Sequence, residues 1–512
     1  MNLEKLLNGI NILAVVCNQW GDTGKGKFTE LFANDWADIT ARGTGGDNAG
    51  HTTVVNGVER IYHLLPSGIG QDSNKKINIL GNGMVINPFV LCRELDKLTK
   101  QGGTYNHLKI SESAHVILPH HIKEDQARYA SLEGGGIGST GRGIGPCYED
   151  KIARRGITMG DLKDKTLLSR KLDAVLGFYH RYELQTRTMT HRDINSERDQ
   201  IIESLEQVTE RLSQFITDTR QIIHDYKKQG KKILIEGAQG LLLSIEHGTY
   251  PYLTSSDCSI NGTAGGVGIS AGAVDLTLGI VKFPFMTRVG GGPFPTEFGT
   301  DSEEYCAKGL EHDVFYEAAT HLGMPLKLDE IRALQSQKSP ESQAKLAEQK
   351  QEVHRFIKAN KQKVLGLCNS NEPFEQGKGI RLAALEYGAT TARPRRTGWT
   401  DAVAAKYATQ INAPMKLILT KADCLAGVNR FSICYEYQNG NQTTNFRPDE
   451  KFLRGAKPRL TTYRGYGNIQ DLTAYDKLPN GLKGAIEHFE TFVGAEVAAV
   501  SVGPERDQTI VR

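Results

Sequence analysis

The chain has 512 residues, of which 39% are hydrophobic and 24% are charged, a balance that supports a packed core and excludes global disorder. Its formal net charge of +3 is too close to neutral for a protein that coats nucleic acid, so any attraction for anions must come from local clusters of Lys and Arg. The length suits one large α/β domain with insertions, or about two or three ordinary domains.

The N-terminal stretch has a short apolar run but no small-residue cleavage site, which indicates a first buried strand and not a signal peptide. No stretch approaches the roughly 20 consecutive apolar residues that a bilayer-spanning helix needs. The eight cysteines lie at positions 17, 92, 147, 258, 306, 368, 424 and 434, without a CxxC pair or zinc-like spacing. This scatter is typical of reduced thiols, so we expect a soluble, cytoplasmic protein.

Short apolar runs along the chain predict buried strands, at residues 12–16, 77–80, 233–235 and 417–419. Longer amphipathic segments lie between them, and this alternation predicts an α/β fold with a large, mostly parallel central sheet flanked by helices. Ligands bind at the carboxyl ends of the strands in such sheets, so the loops after these strands are the places to seek chemistry.

Four glycine-rich stretches carry embedded Asn, His, Thr and Arg side chains, at residues 43–51, 133–146, 260–268 and 289–295. A single stretch of this kind is usually an ordinary turn. Four of them in one chain indicate a large nucleotide-binding surface built from backbone amides.

The segment 300–385 differs in character from the rest of the chain. Ser339-Pro340 predicts a helix start, and apolar residues then recur with a helical period from Leu346 to Val364. We interpret residues 300–385 as a helical insertion within one domain that spans residues 1–512. Its expected role is structural or at an interface.

The first strand leads into a loop at residues 18–27. The order of a strand, a glycine turn and a Lys before a helix is typical of a phosphate-binding loop. The loop is P-loop-like, although the GxxxxGK[ST] spacing is absent. Asp22 within it would repel phosphates unless a metal ion lies between them, which makes Asp22 a candidate Mg²⁺ ligand or base. Taken alone, the loop is equally compatible with a phosphate-binding loop and with an ordinary tight turn.

Thr420-Lys421-Ala422-Asp423 follows the strand at 417–419 and resembles the guanine-reading motif of GTPases. In that motif the Asp accepts hydrogen bonds from the base and the Lys packs over the ring. A match of only four residues would ordinarily be interpreted as a surface loop. The phosphate loop earlier in the chain strengthens the interpretation as a guanine-binding motif.

Longer blocks resemble adenylosuccinate synthetase across residues 12–297 and 386–512, in family order. The blocks are 21–27, GGDNAGHT at 45–52, STGRGIGP at 139–146 with YEDKIARRG at 148–156, EGAQG at 236–240, HGTYP at 247–251 with TSS at 254–256, TRVG at 287–290 with GPFPTE at 292–297, GATTARPRR at 388–396, TKAD at 420–423 and SVGP at 501–504.

This resemblance implies a GTP- and Mg²⁺-dependent ligase of the AMP branch of purine biosynthesis. The family phosphorylates O6 of IMP with GTP, and the amino group of L-aspartate then displaces that phosphate to form adenylosuccinate. The implied catalytic residues are Asp22 as base, His51 as acid, Lys25 and Gln239. The implied metal ligands are Asp22 and the carbonyl of Gly50.

The resemblance also implies binding sites. The GTP site comprises Gly21, Asp22, Thr23, Gly24, Lys25, Gly26, Lys27, Gly50, His51, Thr52, Arg395, Lys421, Ala422, Asp423, Ser501, Val502 and Gly503. The IMP site comprises Asp22, Lys25, Asn48, Ala49, Gly50, His51, Thr140, Arg154, Gln239, Thr254 and Arg393. The aspartate site comprises Ala389, Thr390, Thr391, Ala392, Arg393, Pro394 and Arg395. Arg154 is implied to reach the IMP of a partner subunit, in a homodimer.

The sequence departs from the family pattern at several points. The Glu usual in the phosphate loop is Thr23, the Gly usual in ATTGR is Ala392, and Ser244 and Glu246 stand for a usual pair of aspartates. Ala resists positive φ, so we expect the loop around Ala392 to be set differently. The interval between Glu297 and Glu386 is also longer than usual.

Two alternatives remain at this point. One keeps the ligase chemistry but changes the purine nucleotide or the amino acid; relatives with a guanine nucleotide acceptor lack the loop Asp, and Asp22 is present here. The other is a non-catalytic GTP-binding regulator, which would have no need for both an acid and a base.

Overall fold

The computed structural model describes residues 3–55, 58–69, 76–130, 140–337, 339–388, 392–413 and 415–512. The strands are β1 (Ile12–Cys17), β2 (Ile39–Arg42), β3 (His51–Val55), β4 (Val58–Tyr62), β5 (Ile77–Leu80), β6 (Val85–Ile86), β7 (Leu108–Ser111), β8 (His115–Val116), β9 (Ile216–Thr217), β10 (Ile233–Glu236), β11 (Leu276–Lys282), β12 (Phe285–Arg288), β13 (Arg396–Asp401), β14 (Met415–Thr420), β15 (Arg430–Asn439), β16 (Asn441–Thr443), β17 (Lys457–Arg464), β18 (Val497–Ser501) and β19 (Thr509–Val511).

The helices are α1 (Leu3–Leu7), α2 (Lys25–Asp35), α3 (Pro88–Lys100), α4 (Pro119–Ala130), α5 (Ile144–Ile152), α6 (Lys165–Tyr179), α7 (Arg181–Gln185), α8 (His191–Leu212), α9 (Thr219–Lys228), α10 (Ile260–Gly265), α11 (Ser302–Ala307), α12 (Val314–Leu322), α13 (Leu328–Ser336), α14 (Pro340–Ala359), α15 (Lys361–Cys368), α16 (Pro373–Ala384), α17 (Ala402–Ile411), α18 (Glu450–Gly455) and α19 (Asn480–Val493). In this part of the chain, no helix is long and apolar enough to cross a bilayer.

A central sheet dominates the fold, with ten strands within the described residues in the order β19-β18-β14-β11-β1-β10-β2-β5-β7-β9. Its neighbouring strands pair in parallel except at the β18–β19 edge. The loops that follow β1, β2, β10, β14 and β18 therefore leave the sheet at one edge. This arrangement confirms the predicted α/β class and brings the phosphate loop after β1 and the glycine-rich stretch at 43–51 after β2 to the same edge of the sheet. Residues 133–139 of the second glycine-rich stretch lie outside the described residues.

All four predicted strands are present, and each is buried because its apolar run packs on both faces of the sheet. Ser339 caps α14 as predicted, since its side chain accepts a hydrogen bond from the backbone N–H of Ser342 at 3.2 Å. Strands β2, β11 and β18 were not among the predictions. They lie in the middle or near one edge of the same sheet.

Residues 302–384, which we call the helical segment, form α11 to α16. Val353, Ile357 and Val364 of this segment are buried in the same apolar cluster as residues of β14 and α19. The helical segment thus shares a core with β14 and α19.

Candidate active site

The phosphate loop turns through three residues with positive φ before α2 begins at Lys25. Gly21, Asp22 and Gly24 have φ of 84°, 51° and 82°. Two of these positions are glycines, for which left-handed backbone carries no Cβ penalty, whereas Asp22 accepts it as a short polar residue. The result is a helix N-terminus at the carboxyl end of β1, which is favourable for binding phosphate.

Lys25 and Gln239 join this loop to the loop after β10. The Lys25 ammonium donates a hydrogen bond to the Gln239 carbonyl at 2.6 Å, and Lys25 is only 4% exposed. Gln239 has φ of 46°, and both atoms of its side-chain amide are buried with no partner among the described residues. Buried amides are ordinarily hydrogen-bonded, so this one is suited to a bound ligand.

The histidine loop adjoins α2 through a close backbone approach. A Cβ on Gly26 would lie 2.5 Å from the carbonyl oxygen of Thr52, so only glycine allows this contact. Thr52 lies in β3 directly after His51. The structure therefore brings together the two loops that the sequence placed in one site.

His51 is held by Glu236, the last residue of β10. Its Nδ1 hydrogen-bonds to Glu236 Oε1, and the same carboxylate accepts hydrogen bonds from the backbone N–H (2.9 Å) and the hydroxyl of Ser67. Burial lowers the pKa of His51. Burial opposes ionisation of Glu236, yet His51, Arg42 and Ser67 outweigh it and bring the pKa of Glu236 to about 2. The pair is therefore a neutral imidazole beside a carboxylate. Because the ring proton is on Nδ1, facing Glu236, the Nε2 atom is available to accept a proton or contact a ligand.

Lys27 connects α2 to the C-terminal strand β18. Its ammonium donates to Ser501 Oγ at 2.8 Å, to the Gly503 carbonyl at 2.8 Å and to the Gln508 carbonyl at 3.1 Å. Burial lowers the pKa of Lys27 to about 8, against the attraction of Asp423. The predicted GTP residues at 501–503 thus lie beside the phosphate loop.

Arg395 bridges two carboxylates of the site. Its Nε lies 2.8 Å from Asp22 Oδ2, and its Nη1 lies 2.7 Å from Glu386 Oε2. Lys282, at the end of β11, contacts Glu386 at 2.7 Å with both side chains buried. Burial disfavours the charged form of Glu386, but Lys282, Arg395 and Lys421 together lower its pKa to about 2.

The guanine-reading loop follows β14. Lys421 has φ of 65°, and its ammonium donates to the Ala384 carbonyl at the end of α16 at 3.2 Å. Asp423 accepts a hydrogen bond from Gln470 Nε2 at 3.3 Å, and Tyr466 donates to the Ala422 carbonyl at 2.6 Å. These contacts leave the Asp423 carboxylate part-exposed, as a base-reading group must be.

Other predicted nucleotide residues lie on ordered loops. Asn48 Oδ1 accepts from the Gly46 N–H at 3.2 Å, and the Ala49 carbonyl accepts from the ring of His63 at 2.6 Å. The backbone N–H of Thr254 donates to Leu243 at 2.8 Å. Gly50 and Thr140 are exposed.

Only part of the predicted aspartate loop falls within the described residues, because Ala389, Thr390 and Thr391 lie outside them. The Gly388 N–H donates to the Arg393 carbonyl at 2.8 Å, which closes the loop, and Pro394 and Arg395 lead into β13. Ala392 has φ of 54°. Ala392 thus takes the left-handed backbone in spite of the strain of its Cβ. The expectation that the loop is set differently stays a prediction, because residues 389–391 lie outside the described residues.

Arg154 is exposed and has φ of 61°, in a turn after α5. The turn is anchored by buried Asp150, whose carboxylate contacts Arg155 Nε at 2.6 Å and His121 Nε2 at 2.9 Å. These contacts keep the pKa of Asp150 well below its usual range although burial opposes them. Arg154 is therefore exposed on a turn that Asp150 holds through Arg155 and His121.

His120, His121 and Asp150 form the one group among the described residues with ligand atoms close enough together to hold a metal ion. His121 Nδ1 accepts a hydrogen bond from the Leu118 N–H at 3.0 Å, so the ring proton is on Nε2, facing Asp150. For Nε2 to coordinate a metal ion, this proton would have to move to Nδ1, where it would oppose the Leu118 N–H. This cluster is therefore a brace for the Arg154 turn.

Sequence reasoning missed the residues that orient the site. Glu236 was recognised only as part of a block, and Ser67, Lys282, Glu386 and Gln470 were given no role. A signal was present for two of them, because Glu236 and Lys282 are charged residues that end otherwise apolar strands. Charged side chains are seldom fully buried without a partner. A charged residue at the carboxyl end of a buried strand therefore indicates an ion pair at the edge of the sheet where ligands bind.

Known proteins share this architecture. A family model described as adenylosuccinate synthetase matches residues 14–510. The adenylosuccinate synthetase of Xanthomonas campestris pv. campestris (strain B100) is 36% identical over 502 residues, covering 98% of both chains. The fully ligated adenylosuccinate synthetase from Plasmodium falciparum matches with a TM-score of 0.76 and 29% identity, over 98% of this chain and 100% of that chain. The cyanophage S-2L succinoaminodeoxyadenylate synthetase bound to dGMP and dATP, at 19% identity and a TM-score of 0.50 over 98% of this chain and 95% of that chain, shows the fold alone. The chain belongs to the adenylosuccinate synthetase family and is a GTP- and Mg²⁺-dependent ligase that forms adenylosuccinate from IMP and L-aspartate.

Proposed function

We propose that Asp22, His51, Lys25 and Gln239 form the catalytic group of this ligase. The observation that carries the proposal is the junction of the phosphate loop with the loop after β10, where Lys25 binds the Gln239 carbonyl and leaves the buried Gln239 amide free. A buried cation, a buried free amide and a helix N-terminus suit a phosphorylated purine nucleotide.

In the first step, Asp22 removes the N1 proton of IMP, so that O6 attacks the γ-phosphorus of GTP. The O6–P bond forms, the bond from that phosphorus to the GDP oxygen breaks, and 6-phosphoryl-IMP and GDP result. Asp22 is suited to this role because its carboxylate is part-exposed at the tip of the phosphate loop. Arg395 also contacts that carboxylate, so substrate must share or displace this ion pair.

His51 serves as the acid in this step. Glu236 fixes the proton on Nδ1, which leaves Nε2 to receive a second proton when negatively charged phosphates arrive and favour the imidazolium. The charged ring then donates a hydrogen bond to the transferring phosphoryl group or its leaving oxygen. Lys25 adds a positive charge to the same site.

The donor set at Asp22 and Gly50 fits Mg²⁺. This ion takes oxygen ligands and is commonly held by one or two carboxylates together with substrate phosphates. Asp22 offers a carboxylate that is 30% exposed, and Gly50 offers a backbone carbonyl in an exposed loop. When bound there, the ion would neutralise charge on the phosphates.

The second step joins L-aspartate to C6. The amino nitrogen attacks C6, the C6–O bond breaks, and inorganic phosphate leaves. Arg393 and Arg395 border the loop assigned to aspartate, and guanidinium groups bind carboxylates in a two-pronged fashion. The guanine of GTP is assigned to Lys421 and Asp423, and Ser501–Gly503 complete that site beside Lys27.

We further propose a cytoplasmic homodimer in which Arg154 binds the IMP phosphate of the partner. The exposure of Arg154, on a turn that Asp150 holds through Arg155, supports this role. The eight free cysteines, seven of them buried, support a reducing compartment. The shared core of the helical segment and the sheet supports a single domain over residues 1–512.

The assay uses purified protein with IMP, GTP, Mg²⁺ and L-aspartate, and follows adenylosuccinate absorbance together with phosphate release. Matched release of the two products is the expected result. Phosphate release without adenylosuccinate would reject aspartate or IMP as the substrate. Mutation of Gln239 to Ala is expected to raise the KM for IMP, because it removes the free buried amide.

A further inference from the structure

A buried ion pair links two helices of the helical segment. Arg381 in α16 and Glu317 in α12 contact each other at 2.6 Å (Nη2 to Oε1) and at 3.0 and 3.1 Å (Nε to Oε1 and Oε2). Both side chains are at most 1% exposed. A buried pair of this quality is weak support for stability alone, because well-packed apolar side chains of similar volume often serve equally well.

The same pair reaches both ends of the loop assigned to aspartate. Arg381 Nη1 donates to the Arg395 carbonyl at 3.0 Å, and the Tyr387 hydroxyl donates to Glu317 Oε2. Tyr387 and Arg395 flank the loop, and each is therefore tied to one member of the pair. Arginine suits this task because its fork of donors serves the carboxylate and the carbonyl at the same time.

A further contact joins the helical segment to the loop. A Cβ on Gly309 would lie 3.1 Å from Arg393 Nε, so the Arg393 side chain packs directly over the backbone there. Within the loop, the Arg395 N–H donates to the Glu386 carbonyl at 2.9 Å. The described ends of the loop, residues 386–388 and 392–396, are thus held between the helical segment and the sheet.

We propose that Glu317 and Arg381 are positioning residues that set the described ends of this loop, residues 386–388 and 392–396, and with them Arg393 and Arg395, for aspartate binding. The inference rests on the proposed assignment of aspartate to this loop. It gives the helical segment a role in the reaction, beyond the structural or interface role expected from sequence. Both side chains are buried, so each acts through the Arg395 carbonyl or the Tyr387 hydroxyl at the ends of the loop.

The test variant is Arg381→Lys, which keeps the charge facing Glu317 but removes the fork that also binds the Arg395 carbonyl. Glu317→Gln and Tyr387→Phe perturb the same contacts from the other side, and Tyr387→Phe removes a single hydroxyl should the ion-pair variants fail to fold. The matched control is Arg332→Lys. Arg332 pairs with Asp313 of the helical segment at 2.7 Å, and its recorded contacts lie within that segment.

Arg381→Lys is expected to raise the KM for aspartate by about tenfold to 10²-fold, the scale of a small misplacement of binding groups, with the KM for IMP changed less than about twofold. Hydrogen exchange of the 386–396 peptide, measured without ligands, is expected to quicken while exchange in β1 and β14 stays unchanged. Arg332→Lys should show neither effect.

An unchanged aspartate KM in a folded Arg381→Lys protein would overturn the inference, whether or not exchange quickens. So would a fall in kcat with uniform acceleration of exchange, because that is the behaviour of a purely structural pair. If the unaltered protein forms no adenylosuccinate, the proposed function fails. Local quickening in the 386–396 peptide would then still show that the pair orders the loop.

Discussion

Replacement of Glu236 by Gln tests how the site controls His51. Glu236 is fully buried, and its two oxygens accept from His51 Nδ1, the Ser67 N–H and the Ser67 hydroxyl. A Gln side chain has one accepting oxygen and one NH₂ group. With the oxygen toward His51, the NH₂ group opposes the Ser67 N–H; with the amide reversed, it opposes Nδ1–H and drives the ring proton to Nε2.

The magnitude follows from the pKa of Glu236. A fall from 4.5 to about 2 corresponds to about 3 kcal/mol of stabilisation of the folded protein, each tenfold change in proton affinity being worth about 1.4 kcal/mol. Because the folded-state pKa is depressed, this stabilisation is complete above about pH 4.5 and is lost as the pH falls toward about 2. Glu236→Gln should be less stable near neutral pH, and its stability should change less with pH in that window.

The effect on activity should exceed the effect on substrate binding. Because a neutral Gln no longer stabilises the imidazolium that donates from Nε2, we expect kcat to fall by about 10²-fold or more, equivalent to about 2.7 kcal/mol, with the KM for GTP changed only a few-fold. The assay is steady-state formation of adenylosuccinate at saturating IMP, with urea unfolding measured in parallel.

The control for this variant is Glu94→Gln. Glu94 is also buried and accepts from three backbone N–H groups, those of His63, Leu64 and Leu65, but it does not bond to His51. It should lose stability while retaining most of its turnover. A folded Glu236→Gln protein with kcat within about twofold of normal would refute the view that Glu236 stabilises the imidazolium form of His51 during the reaction.

Four further outcomes test other parts of the site. Asp22→Asn should lower turnover by at least about 10²-fold and leave the melting temperature nearly unchanged, and near-normal turnover would exclude Asp22 as the base. Asp423→Asn should raise the KM for GTP but not for IMP, and should improve use of xanthosine triphosphate, whose 2-oxo group meets an amide donor; equal losses with GTP and ATP would mean that the loop reads no base. The KM for GTP should rise as the pH passes about 8, where Lys27 loses its proton, and a Lys27→Met protein should show a flatter profile. Mixing inactive Arg154→Leu and Asp22→Ala subunits should restore roughly a quarter of normal activity in a two-fold symmetric dimer, and confirmed hybrids without activity would place Arg154 in its own subunit.

The predicted helical segment shows where local sequence signals end. Ser339-Pro340 identified the start of α14 because capping and the fixed φ of proline are local effects. The contacts from Arg381 to Glu317, 64 positions earlier in the chain, and to Arg395, 14 positions later, have no local signature. They arise because α12 packs against α16, and α16 packs against β13.

The sequence by itself determined the fold class, the order of the motifs and the types of group in the site. Apolar runs mark buried strands, glycines mark turns with positive φ, and the carboxyl ends of parallel strands meet at one edge, so phosphate loop, histidine loop and guanine-type loop could be assigned to one site. Only the tertiary structure decided which charges compensate one another there. Glu236 faces His51, Lys282 faces Glu386, and Arg395 lies between Asp22 and Glu386. These pairings depend on side chains from strands that are distant in sequence and adjacent in the sheet, because burial forces each charge to find a partner that no short stretch of chain supplies.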